Sequence, residues 1–288
     1  MIAVFKREVR SYFHGVMGYL FAAFLLIFVG IYTMAYNLSG YYANFEYVLD
    51  AVSFVYMIAV PILTMRSFAE EKSLKTDQLL YSLPTGMTRI VIGKYLAMVT
   101  VLGASTLLLC LYPVILSFYG TVNFLGSYSG IFAFFLLGCT LIAIGMFIST
   151  LTESQVISAV VTFGVFIAVY FMKLIASIIP GSDSASFICF MVLSLVIGLI
   201  VHLIVKNSTA GISVALVLAG ATAVTFFVNR SLFKGVFPEI LEKFALFDRM
   251  VNFIYYGIFD ISAVVYYLSV ILLFVYLSVH SMDKRRWA

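Results

Sequence analysis

The chain has 288 residues, 64% hydrophobic and only 10% charged, with a formal net charge of +4 and a mean hydropathy of +1.12. A soluble domain carries about 25% charged residues, so a water-soluble globule is excluded. The modest positive charge is spread among loops rather than gathered on one face, which argues against nucleic acid as a partner.

In chain order, Lys6, Arg7 and Arg10 precede a first apolar run. That run is too long for a signal-peptide core and ends without a small-x-small site, so it reads as a retained span. Apolar runs near 17–36, 50–66, 95–119, 129–149, 156–178, 186–205, 210–228 and 261–281 predict about eight spans, with six as an alternative. About 20 helical residues cover a hydrocarbon core of about 30 Å. The fold class predicted is an all-α polytopic transmembrane bundle forming a single domain over 1–288.

Two longer connections stand out. Residues 67–94 form a charged island, Phe68-Ala69-Glu70-Glu71-Lys72-Ser73-Leu74-Lys75-Thr76-Asp77-Gln78-Leu79-Leu80, ending near Pro84. Phe68, Leu79, Leu80 and Leu83 give it an apolar face opposite a polar one. Residues 229–259 repeat large apolar groups at helical spacing, from Phe233 to Ile254, with Lys234, Glu239, Glu242, Lys243, Asp248 and Arg249 between them. That mixture predicts an outer interfacial segment, either a lid or a release surface.

Orientation follows from Lys and Arg. An inside N-terminus with eight spans puts Lys6, Arg7, Arg10, Arg66, Lys72, Lys75, Arg89, Lys94, Lys206, Lys284, Arg285 and Arg286 in the cytoplasm. It leaves Lys173, Arg230, Lys234, Lys243 and Arg249 outside. This is the positive-inside pattern, and it predicts both termini in the cytoplasm. Thr152-Glu153-Ser154-Gln155 reads as a capping box in a tight inward turn. Pro180-Gly181-Ser182-Asp183 is outer turn chemistry. Gly138 and Gly145 lie on one helix face, which either permits close helix contact or reflects the abundance of Gly in membrane helices.

The chemistry is sparse. Gly93-Lys94 is the only Gly-Lys pair, but Thr88 and Tyr95 stand where a Walker A loop needs Gly and Ser/Thr. There is no G-x-S-x-G and no H-E-x-x-H. Cys110, Cys139 and Cys189 lie inside apolar runs without metal spacing. His14, His202 and His280 fall near span ends. Glu70-Glu71 with Lys75 is similar to the E-E-x-x-x-R of intramembrane CAAX-type metalloproteases, with Lys in place of Arg.

The island also resembles the coupling region of ABC-2-type transporter permeases, in the gliding-motility-like branch. Ala69-Glu70-Glu71-Lys72, Thr76-Asp77-Gln78-Leu79-Leu80, Pro84 and Ile90-Val91-Ile92-Gly93-Lys94 carry the likeness. Lys75 stands where that family usually has Gly. Ile148 to Glu153 looks like a second cytoplasmic contact, and Asp260 to Ser269 with Lys284-Arg285-Arg286-Trp287 looks like the last span and basic tail. The resemblance covers most of 1–175 and 245–287, leaving the runs between 186 and 228 as an added helical pair.

The resemblance implies a non-enzymatic half-transporter in a bacterial inner membrane, paired with a second permease subunit of the same or another kind. It implies an exporter, and the few charges inside the spans fit a large or amphiphilic substrate better than a selective ion path. A separate ABC ATPase subunit would hold the ATP and Mg; no cofactor is expected on this chain. The ATPase interface it implies comprises Glu70, Glu71, Lys72, Thr76, Gln78, Leu79, Leu80, Thr152 and Glu153. A metal-dependent protease and a non-transporting scaffold remain as alternatives.

Overall fold

The computed structural model describes residues 1–40, 43–76, 86–205, 208–255 and 259–286. Among them every regular element is helical. The α-helices are α1 Ile2–His14, α2 Val16–Thr33, α3 Glu46–Val52, α4 Tyr56–Thr64, α5 Ala69–Ser73, α6 Met87–Leu109, α7 Leu111–Leu116 and α8 Phe124–Leu151. They continue as α9 Gln155–Tyr170, α10 Met172–Ile178, α11 Asp183–Val205, α12 Ser208–Val228, α13 Val236–Lys243, α14 Val251–Tyr255 and α15 Ile261–Arg286. Six helical stretches among the described residues are long and apolar enough to cross a bilayer, or seven if α9 and α10 form one broken span. The chain is therefore a membrane-embedded, all-α polytopic bundle. The predicted run at 186–205 becomes the long helix α11, of which Asp183–Leu199 forms a shorter apolar stretch.

The chain divides into two compact units, one of Met1–Ala168 with Leu246–Ala288 and one of Val169–Ala245. In the first, α8 is the central element. Its most apolar window is 83% buried, against 17% for the Ile261–Lys284 span. α6 runs antiparallel to α8, since Tyr95 donates to Cys139 O and Tyr128 to Cys110 O. The α3–α5 stretch runs parallel to α8. Ser127 meets Glu46 at one end, Tyr56 stacks on Phe134 at 4.4 Å in the middle, and Ser149 meets Phe68 at the other. α15 is also parallel to α8, through Phe259–Phe132 and Phe274–Phe147.

Glycine sets the closest of these approaches. A Cβ on Gly145 would lie 2.5 Å from Thr64 Oγ1, and one on Gly138 would lie 2.7 Å from Leu102 Cδ2 and 3.1 Å from the Tyr56 ring. Both glycines thus face the α4 side of α8, and the close-contact reading of their spacing holds.

These directions gather α1, α5, the start of α6 and the ends of α8 and α15 at one end of the unit, called here the basic end. Both described termini of this unit lie there. The opposite end carries Asn123, which caps α8 by accepting from Gly126 N at 3.1 Å, and Tyr255, which donates to Asp50 at 3.0 Å. Phe247–Met250 and α14 pack at this end, where Tyr267 donates to Leu246 O. Glu46, which the sequence places in a connection, is only 4% exposed, beneath Gly126 and Gly130.

The second unit contains an antiparallel hairpin of α11 and α12. Phe187 stacks on Phe226, Thr222 reaches Met191 Sδ, and Gly198 lies against Gly211. Ser182 caps α11 by accepting from Ala185 N at 3.3 Å. The 3₁₀ turn Arg230–Phe233 and α13 supply Phe233 and Phe237 to an aromatic cluster with Phe190. This unit contains the helical pair that the sequence sets apart as an addition.

Candidate coupling surface

The island begins where the α4 span ends. Arg66, one turn before Glu70, forks onto its carboxylate with Nε at 2.8 Å and Nη2 at 2.7 Å. This i,i+4 pair is partly exposed, so it orients Glu70 more than it stabilises the fold. Glu71 points inward. Its Oε1 lies 2.9 Å from Lys94 Nζ and 3.4 Å from Arg7 Nη2. Lys94 is 3% exposed, donates to Ser67 O at 2.7 Å, and sits 5.1 Å from the Phe68 ring centre. Glu8 on α1 completes the group, 2.7 Å from Arg7 and 3.4 Å from Lys94. The hydrogen bond to Glu8, with the negative charges of Glu8 and Glu71, raises the Arg7 guanidinium above its ordinary pKa. Beside it, burial pushes the Tyr12 phenol up and keeps it neutral.

This charge lattice fixes α1 and α6 against the island. Gly93 allows the approach, because a Cβ there would press on Val4 Cγ1 at 3.3 Å and Met1 O at 3.4 Å. Gly93-Lys94 therefore has a packing and ion-pairing role in this fold.

α5 is a short helix whose N-cap, Phe68, offers no side-chain acceptor. Ser149 on α8 supplies one. Its Oγ accepts from Phe68 N at 3.2 Å and Ala69 N at 3.1 Å. Lys72, 6% exposed, donates to Thr150 O. The island and the 148–153 turn, separate in sequence, are thus joined by three hydrogen bonds.

The C-terminus of α5 closes with Lys75 N on Lys72 O at 3.0 Å and Thr76 N on Glu71 O at 2.9 Å. These are the two bonds of a Schellman motif. Lys75 occupies its left-handed position at φ 56°. Thr76 is exposed, and its hydroxyl also donates to Glu71 O.

Of the residues expected at a partner interface, the structure brings Glu70, Glu71, Lys72, Thr76, Thr152 and Glu153 to one end. Glu71 and Lys72 are engaged within the chain; Thr76 and Glu153 are exposed. Gln78, Leu79 and Leu80 lie outside the described residues. Thr152 departs from the capping-box reading: its hydroxyl donates back to Ile148 O at 3.3 Å, closing α8 rather than opening α9. α8 ends there in extended backbone, which leaves that carbonyl open to a side-chain donor. Sequence reasoning missed Ser149, Arg7, Glu8 and Lys94 as a structural set.

The same pairing bears on the protease alternative. Cations at hydrogen-bonding distance already hold both Glu70 and Glu71. Among the described residues, no group of three His, Cys, Asp or Glu side chains is placed to hold a metal ion. Comparisons with family models, curated proteins and solved structures return no match.

Proposed function

We propose that this chain is the membrane subunit of an ATP-binding cassette transporter of the ABC-2 permease type. A separate ATPase subunit docks at the basic end, across the island and the 148–153 turn. The observation that carries this reading is the joining of those segments by Ser149 and Lys72. A coupling surface must pass a push from outside into the spans. α5 continues the α3–α4 stretch, and its N-terminus is fastened to α8, the most buried helix. Force on α5 therefore reaches two spans through short hydrogen bonds rather than through a slack loop.

ATP and Mg belong to the partner in this reading, and this chain contributes the lever. A second permease subunit completes the pathway, and the apolar character of the spans favours export of an amphiphilic or large substrate over a selective ion path. The basic end then faces the cytoplasm of a bacterial inner membrane.

A photo-crosslinking residue at Thr76 or Glu153 tests the docking site. Irradiation of native membranes should yield an adduct with a Walker-motif ATPase at both positions, and none from the same residue at Tyr119 on the opposite end. Adducts lacking any ATPase at both positions would refute the assignment.

A further inference from the structure

We propose that the groove between the last turns of α8 and α15 binds an anionic phospholipid drawn from the surrounding bilayer. This requires only that α8 and α15 span the membrane, and does not rest on the ATPase reading. The two helices run side by side, and Phe147 and Phe274 still touch, with ring centres 5.7 Å apart. Beyond that contact a groove of about 440 Å³ opens between them. Phe147, Leu151 and Leu277 form its apolar walls, with buried Thr150 among them, while His280 and Lys284 stand at its far end.

The polarity of the groove follows the membrane normal. From Leu277 to Lys284 the helix rises about 10 Å. The α8 span ends at Leu151 and the α15 span at Lys284. The apolar walls therefore lie at acyl-chain depth, and the cation lies at the level of the phosphates. A lysine at such a span end lays its carbon stem along apolar surface and presents its ammonium to the headgroup layer.

Charge complementarity selects an anionic lipid. At the same end Arg66, Arg7 and Lys94 are committed to Glu70, Glu8 and Glu71. Lys284 is exposed and has no ion-pair partner among the described residues. His280 stacks its ring on Tyr276, at 6.5 Å and 7°, which fixes its orientation at the rim. A free anion would meet only these exposed groups. An anionic phospholipid would satisfy them and also fill the apolar length.

Native mass spectrometry of the delipidated full chain in detergent tests the site. Phosphatidylglycerol and phosphatidylcholine with identical acyl chains are titrated separately, with glycerol phosphate as a soluble competitor. The first phosphatidylglycerol should bind at least tenfold more tightly than the first phosphatidylcholine. Lys284→Glu combined with His280→Ala should remove that preference and leave phosphatidylcholine binding unchanged. Leu151→Trp, which fills the apolar half, should weaken both lipids. Lys284→Gln replaces the charge reversal if the double variant loses its thermal unfolding transition. Equal wild-type affinities would overturn the proposal, as would a preference that survives the charge variants. So would displacement of the lipid by millimolar glycerol phosphate. If Leu151→Trp leaves lipid binding intact and changes the monomer–dimer ratio, the groove is a subunit interface and the proposal fails.

Discussion

Lys75 shows how one residue can keep a shape that its chemistry disfavours. The C′ position of a Schellman motif requires a left-handed backbone, where glycine has no Cβ to clash. The resemblance to ABC-2 permeases places a glycine there, and the sequence alone raises the question whether the turn survives its replacement. It does survive: both motif hydrogen bonds form around Lys75 at φ 56°. A side chain in this region costs roughly 1–2 kcal/mol, partly offset by the extra unfolded-state freedom of glycine. Lys75→Gly should therefore steady the turn by about 0.5–1 kcal/mol. Hydrogen exchange should show the Lys75 and Thr76 amides roughly two- to fivefold better protected. Lys75→Val should lower protection, because a β-branched residue is poorly tolerated at positive φ. Equal protection in the glycine and valine variants would mean that the backbone is unstrained.

At the scale of elements, α5 depends on a cap from another helix. Phe68 and Ala69 are 1% and 0% exposed, so their N–H groups have no water to turn to. Ser149→Ala removes their shared acceptor and should cost about 1–3 kcal/mol. Ser149→Thr keeps the hydroxyl and should be milder, although its extra methyl enters a buried site. Thermal unfolding in detergent, with exchange at the Phe68 and Ala69 amides, would measure both. Unchanged protection in Ser149→Ala would show that the cap carries no weight. This element also marks where sequence reading stops. Hydropathy located the apolar runs, six of which form helices long enough to cross a bilayer among the described residues, because hydrophobicity is a property of each window by itself. The Gly138–Gly145 spacing was legible because both positions belong to one helix. Ser149 meets Phe68 across 81 positions, and no local period records such a meeting. Lys94 was read as part of the charged island for a related reason. It looks solvated in its own window, and its burial is decided by helices elsewhere in the chain. The Thr152 capping box failed because α9 begins only at Gln155, leaving Thr152 at the C-terminal end of α8.

At the scale of the whole molecule, the arrangement of the first unit makes orientation testable with positions inside one packed body. α1, the island and the ends of α8 and α15 share one end, and Lys6, Arg7, Arg10, Arg66, Lys72 and Lys94 lie on it. The proposed orientation, drawn from the positive-inside rule, puts that end in the cytoplasm. The acidic partners do not cancel the assignment, because Asp and Glu carry little topological weight. Ser73 is exposed at this end, and Tyr119, 77% exposed, follows α7 toward the other. Ser73→Cys and Tyr119→Cys would be made separately in a background without Cys110, Cys139 and Cys189. None of those thiols is in a disulfide, and Cys139 accepts from Tyr95 through its backbone carbonyl, which alanine keeps. In intact cells a membrane-impermeant thiol reagent should label Tyr119→Cys and spare Ser73→Cys. After permeabilisation both should react, which separates a protected side from a buried thiol. Labelling of Ser73→Cys alone in intact cells would invert the chain. The basic end would then face away from cytoplasmic ATP, and the ATPase docking proposal would fall with it.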